Sequence, residues 1–229
     1  MFTINKCLVN ICKNNALSSF DENGNLINGK GYCLDHAPDP GLAQSAILNY
    51  IRNNEKIIGL NARGMIFKDI DFSNKKFFGC DFSHCTFQNI KWENTLFRIS
   101  VFDFAFFNDC NFIQNNSIFT TFSCCTFTHT LFNASDMLQC NFNGAKAFQC
   151  SFDNSDFFST RFINATLVDT SFRNCNLKKT VFSGASRENV SFKMSNTREA
   201  VFGSAKDPLH AEQADTLAFG NSIVDGDIK

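Results

Sequence analysis

Residues 71–90 read DFSNKKFFGCDFSHCTFQNI. Phenylalanine stands at 72, 77, 82 and 87, and Cys80 and Cys85 each precede a phenylalanine by two places. A helix of period 3.6 would scatter these rings around its whole surface, and a simple strand repeats every two residues. Five therefore demands a different backbone. Outward from this stretch the register runs without insertion from Phe67 to Phe202, with Trp92, Met137, Leu167 and Leu177 standing in for phenylalanine. Two places earlier the residues are small, as at Ser100, Ala105, Cys110, Thr120 and Cys125. Two places later Asn, Gly and Asp recur, at Asn74, Gly79, Asn94, Asp109 and Asn154, residues that tolerate tight turns and left-handed backbone. Each unit thus reads as a short extended piece and a turn, with one large and one small side chain inward. Such units cannot bury an apolar face alone and must stack.

About 29 consecutive units over residues 60–205 resemble the pentapeptide-repeat family. The resemblance implies an all-β solenoid, a right-handed quadrilateral parallel β-helix with four units per coil, so that residues 20 apart lie above one another. With coils ~4.8 Å apart, about seven coils make a rod ~35 Å long. Columns such as Phe82, Phe102, Phe122 and Phe142 form its core. Ser117, Ala147, Arg187 and Thr197 break the central rule, and Lys75 and Asn115 break the corner rule. A local bulge is expected there, with Phe119 or Phe148 turning inward to compensate; a buried polar pocket near Asn115 and Ser117 is the sharper alternative.

Eleven cysteines raise the question of a disulfide framework. Seven of them, including Cys85, Cys125, Cys110 and Cys150, take the small inward position. Column mates two coils apart are ~9.6 Å apart, beyond disulfide reach. They read as small buried hydrophobes in a reduced, cytoplasmic protein. No apolar run is long enough to span a bilayer, and the first residues lack the apolar core of a signal peptide.

Residues 1–38 differ. Cys7, Cys12, Cys33 and His36 are spaced C-x4-C-x20-C-x2-H around a hairpin with Asn23-Gly24 and Asn28-Gly29 as turn candidates. Two pairs of soft ligands on turns suit a closed structural zinc site; the alternative is a hairpin with incidental cysteines. Residues 39–59 carry a capping helix, started by Asp39 and Pro40 with Ala43, Ile47, Tyr50 and Ile51 on one face. Residues 206–229 repeat the Asp-Pro start at Asp207 and Pro208 and read as a second capping helix, a candidate for homodimer contacts.

No phosphate loop, nucleophile elbow or zinc-protease helix is present, and His84 and Cys85 should face opposite sides of the wall. The expectation is a non-enzymatic protein-binding or scaffold module, with no membrane contact and no direct nucleic-acid binding. The alternative, which the resemblance supplies, is a DNA-mimicking protector of gyrase or topoisomerase. That role needs an acidic surface, whereas residues 60–205 hold 14 Lys/Arg against 12 Asp/Glu, a net of +2. Among the outward columns, Asn89, Asp109, His129, Gln149 and Asp169 are uniformly polar. The face bearing Phe78, Ile99, Ile118, Phe119, Leu138 and Phe158 is not, and is the expected protein-binding surface.

Overall fold

A computed structural model of the chain describes residues 5–27 and 29–203. Strands 20 residues apart pair in parallel, with Phe67 opposite Phe87, Phe87 opposite Phe107 and Phe107 opposite Phe127. One side of the coil is a seven-stranded sheet running from Ile66–Asp71 to Ser186–Glu188. The side across from it is a five-stranded sheet running from Lys56–Ile58 to Asp136–Leu138. Single bridges such as Asp81 to Val101 and Lys91 to Asn111 join the other two sides. The result is a parallel β-solenoid of about seven turns.

Side-chain chemistry explains each place in the unit. Central residues point inward: Phe122 is fully buried, stacked 5.0 Å from Phe102 and 4.8 Å from Phe142, and meets Phe132 of the column across the coil edge-on at 82°. Offset stacks within columns and edge contacts between them are the two favoured aromatic geometries, worth ~0.5–1.5 kcal/mol per pair beyond burial. The residue two places on adopts left-handed backbone in nearly every unit, as at Asn74 (φ 64°), Asn94 (φ 52°) and Asp109 (φ 54°). This turns the chain through each corner.

The small inward residue does more than fit. Cys125 Sγ donates to the Phe102 carbonyl at 3.0 Å, and Ser135 and Ser155 Oγ donate to the Phe112 and Phe132 carbonyls at 2.7 Å. Each reaches the carbonyl 23 residues earlier. Cysteine, serine and threonine therefore supply a hydrogen to a main-chain oxygen that water cannot reach. Burial pushes the thiols of Cys80, Cys140 and Cys175 up to about 12 and those of Cys110 and Cys150 to about 11. Every cysteine in the structure is free, and Cys124 is exposed. Iodoacetamide at pH 8 should accordingly modify Cys124 while the seven corner cysteines stay intact until denaturant is added. Peptide mass spectrometry reads this directly; early labelling of Cys125 or Cys140 would contradict the inward placement.

The bulges expected at the irregular units are absent. Ser117 remains paired with Phe97 and Met137, Ala147 with Phe127 and Leu167, and Ser117, Asn115 and Ala147 are all buried in register. Phe119 does not turn inward and is 57% exposed. The ladders on either side hold the register, because a one-residue slip would send every inward group to solvent. Lys75 has its own reason: its Nζ donates to the Arg52 and Asn54 carbonyls at 3.1 and 2.9 Å, at the C-terminal end of the adjoining helix.

That helix, α1 (Pro40–Asn53), begins where the Asp39 carboxylate accepts from Leu42 N at 2.9 Å. Ile47 and Ile51 are fully buried and join Ile57 and Leu60 in the core cluster, so α1 covers the first coil's open end. The second capping helix expected from Asp207 and Pro208 lies outside the described residues.

Candidate functional site

The segment before α1 is built from two facing turns. Cys12 N closes one turn onto Val9 O at 2.9 Å, and His36 N closes the other onto Cys33 O at 3.1 Å in a short 3-10 helix (Leu34–His36). Cys7 N donates to Asn14 O, closing the loop around the first turn, and Leu8 N donates to Gly31 O, which draws the two turns together. Between them runs a hairpin of β1 (Ser19–Phe20) and β2 (Leu26–Ile27). The Asp21 carboxylate accepts from Asn23 N and Asn25 N, and Gly24 takes φ 78° at the turn. Asn28 of the second turn candidate lies outside the described residues.

This closure brings Cys7, Cys12, Cys33 and His36 together, their ligand atoms all within 4.8 Å of one another. Cys12 Sγ lies 3.8 Å from Cys33 Sγ, and His36 Nδ1 lies 3.3 Å from Cys33 Sγ and 3.6 Å from Cys7 Sγ. Burial raises the Cys33 thiol, with Cys12 adding to the rise. At Cys7 burial also opposes the thiolate, yet hydrogen bonds from the amides of Cys33 and Val9 and from the neighbouring side chains bring it down to about 6. Among the described residues this is the one group of three or more His, Cys, Asp or Glu side chains able to hold a metal ion.

The segment is fastened to the first coil. Asn61 Nδ2 donates to Ala16 O at 2.7 Å, Asn61 N to Ser18 Oγ at 2.8 Å, and the Phe20 ring lies 5.0 Å from Tyr50 of α1. The hairpin sits over Gly59 and Gly79, at the corner that follows the five-stranded wall. A cavity of about 390 Å³ lies between them, its lining including Leu26, Ile27, Asp81 and Ile99.

Of the residues expected on the apolar wall, Phe78, Ile118 and Leu138 stand in one register, separated by Arg98 between the first two, and Phe158 follows. These four are half-buried. Lys56 Nζ lies 5.3 Å from the Phe78 ring and Lys179 Nζ 5.9 Å from the Phe158 ring, so cations cover both ends of the stripe. The exposed members are Ile99 (63%) and Phe119. They continue the corner column begun by Gly59 and Gly79, and both hold left-handed backbone at φ 53°. The polar column, by contrast, is a hydrogen-bonded ladder: Asn89 to Asp69 at 2.8 Å, His129 to Gln149 at 2.6 Å and Asn189 to Asp169 at 2.6 Å.

Sequence reading missed a second group of exposed side chains, Ile66, Phe104 and Phe106. Phe104 stacks on His84 at 5.0 Å, on the corner beside the seven-stranded sheet. Its signal was available, since 104 and 106 flank an inward corner residue. His84 is exposed on a turn and Cys85 is buried, so the two do not form a dyad.

Two family models match the coils: pentapeptide repeats (8 copies) over residues 76–114 and pentapeptide repeat region over residues 125–202. The chain belongs to the pentapeptide-repeat family. Among solved structures it is similar to QnrB1, described as a plasmid-mediated fluoroquinolone resistance protein, at 15% identity over 74% of this chain and 92% of that one, with a TM-score of 0.48. It is also similar to HetL of the cyanobacterium Nostoc sp. strain PCC 7120, at 9% identity over 70% and 89% with a TM-score of 0.29. A third is a pentapeptide repeat protein of the Arabidopsis thaliana thylakoid lumen, at 18% identity over 66% and 72% with a TM-score of 0.28. Likenesses at this level leave the role of each with that protein. No curated protein matches this chain. Among the described residues no helix is long and apolar enough to cross a membrane.

Proposed function

We propose that this pentapeptide-repeat protein is a non-enzymatic recognition rod that binds a protein partner through its five-stranded wall. Ile99 and Phe119 are the centre of contact, with Phe78, Ile118, Leu138 and Phe158 alongside. The observation that carries this reading is the backbone at Ile99 and Phe119. Left-handed φ costs a residue with a Cβ ~1–2 kcal/mol and is a genuine outlier for a β-branched side chain. Most other corners carry Asn, Asp, Gln or Gly instead. Here two successive coils place large apolar groups in that conformation and expose them, which neither local geometry nor solvation favours. Covering such a patch by a partner favours association. The interior is filled with aromatic rings, so recognition falls to a wall, a corner or an end. The balanced charge of the coils fits this reading better than imitation of an acidic duplex.

The same reading assigns Cys7, Cys12, Cys33 and His36 a structural zinc ion. A tetrahedral ion with bonds of ~2.3 Å to sulfur and ~2.0 Å to nitrogen sets its sulfurs ~3.8 Å apart and sulfur and nitrogen ~3.5 Å apart. The separations of 3.8, 3.3 and 3.6 Å lie close to these edges. Four protein ligands close the site and leave no position for substrate. Zinc here would hold the hairpin against the wall up to the edge of Ile99.

The test is Ile99→Asn with Phe119→Asn. Asparagine suits left-handed backbone, so the thermal transition should stay in place or rise by a few degrees. Self-association in sedimentation, or retention of the native partner in affinity capture, should be lost. A double variant that keeps every interaction of the parent would move the binding surface elsewhere, first to Phe104 and Phe106.

A further inference from the structure

One corner of the core breaks the hydrogen-bond rule that the rest of its column obeys. Ser135 and Ser155 each use a single oxygen twice: it accepts from the amide 20 residues earlier, of Asn115 and Ser135, and donates to the carbonyl 23 residues earlier, of Phe112 and Phe132. Thr95 Oγ1 likewise donates to the Phe72 carbonyl. Asn115 belongs to this column, and its counterpart carbonyl is that of Trp92. Its Oδ1 accepts from Thr95 N at 2.9 Å, which settles the amide's orientation and leaves Nδ2 as the donor. An amide divides between two atoms what a hydroxyl does with one. Nδ2 finds no protein acceptor, and no hydrogen bond reaches the Trp92 carbonyl from the described residues.

Three further buried polar atoms on nearby residues also lack protein partners: Trp92 Nε1, Asn116 Oδ1 and Ser117 Oγ. Trp92 and Ser117 are fully buried, and Asn115 is 2% exposed. The Trp92 ring lies 5.4 Å from Phe97, which is directly beneath Ser117 in its column, and 5.7 Å from Phe112, three residues before Asn115. Ser117 stands where Phe97 and Phe157 carry rings, so the core is locally short of side-chain volume as well as of hydrogen-bond partners.

We propose that an internal water molecule is a resident ligand of this corner. It accepts from Asn115 Nδ2 and Trp92 Nε1, which can only donate. It donates to the Trp92 carbonyl, which can only accept, and to the Ser117 hydroxyl. A small molecule with two donors and two acceptors is what this set requires, and internal waters make about three such bonds to otherwise unpaired groups. Aliphatic guests leave all four groups unmatched, and an anion leaves the carbonyl unmatched.

Trp92 is the chain's single tryptophan, so its indole Nε1–H gives one resonance free of overlap. In the full-length ¹⁵N-labelled protein, water-selective nuclear Overhauser spectra should show a cross-peak from a long-lived water to this proton. Asn115→Ser restores the rule of the column, since serine can accept from Thr95 N and donate to the Trp92 carbonyl as Ser135 does for its own pair. In that variant the cross-peak should disappear while the fold and the indole resonance persist. A parent indole signal with no water cross-peak, or a cross-peak unchanged in Asn115→Ser, would overturn the proposal. A crystal structure of the parent gives an independent reading that does not depend on the variant folding. Density within hydrogen-bond distance of the Trp92 carbonyl and Asn115 Nδ2 supports the site, and contact between those two groups themselves contradicts it.

Discussion

Phe122→Ala should lower the free energy of unfolding by about 3–5 kcal/mol, the cost of removing a buried ring and leaving a cavity that its neighbours cannot fill. Collapse is hard at this position. Phe102 and Phe142 are held on either side by the bridged backbone of their own coils, and Phe132 meets the ring edge-on from across the coil. Lys146→Ala, on the exposed side of the same coil region, should change stability by less than about 0.5 kcal/mol. Chemical denaturation followed by far-ultraviolet circular dichroism compares the two. Equal losses would contradict the inward and outward assignment of the five-residue unit.

The second large effect concerns the Cys/His cluster. Purified protein should carry one zinc ion per chain, and Cys33→Ser should lose it. Apparent binding energies of structural zinc sites are of order 10 kcal/mol, and a short segment with this little core depends on them. Metal removal should therefore release residues 5–36 to protease while the coils retain their cooperative transition, because α1 and the phenylalanine columns contain none of the ligands. Elemental analysis and limited proteolysis with and without chelator decide the matter. Absence of stoichiometric metal, with Cys7, Cys12 and Cys33 freely alkylated in the native protein, would contradict the assignment.

The coils were unusually legible because a solenoid makes every side chain's direction a matter of local register. Phe77, Cys80 and Phe82 point inward for reasons contained within a few residues, and coil upon coil repeats them. The same locality explains the misreading at Ser117 and Ala147. A bulge is the local response to a missing ring, but ladder bonds from the coils on both sides hold the strand in phase. Lys75 was opaque for the opposite reason, since its partners are the last carbonyls of α1, which sequence places 21 and 23 residues away with no sign of contact.

Outward positions carry no comparable constraint. Phe104 and Phe106 obey the register as well as Phe119 does, and only solvent exposure separates them from ordinary wall residues. Ligand spacing marks the Cys/His set, but that the two turns close on each other follows from the Leu8–Gly31 backbone bond and the bridge of Cys7 to Gly31, which no spacing rule contains. The corner cysteines were recognised as small and apolar. Their role as donors to carbonyls 23 residues earlier emerged only from the stacked coils.

Recognition through the five-stranded wall is tested most directly by site-specific photocrosslinking in the native host. A photoreactive phenylalanine analogue is placed at Phe119 and, in a separate protein, at Lys146 on the seven-stranded side. Discrete protein adducts are expected from position 119 and none from position 146. Equal adducts from both positions, or adducts from 146 alone, would contradict recognition through this wall.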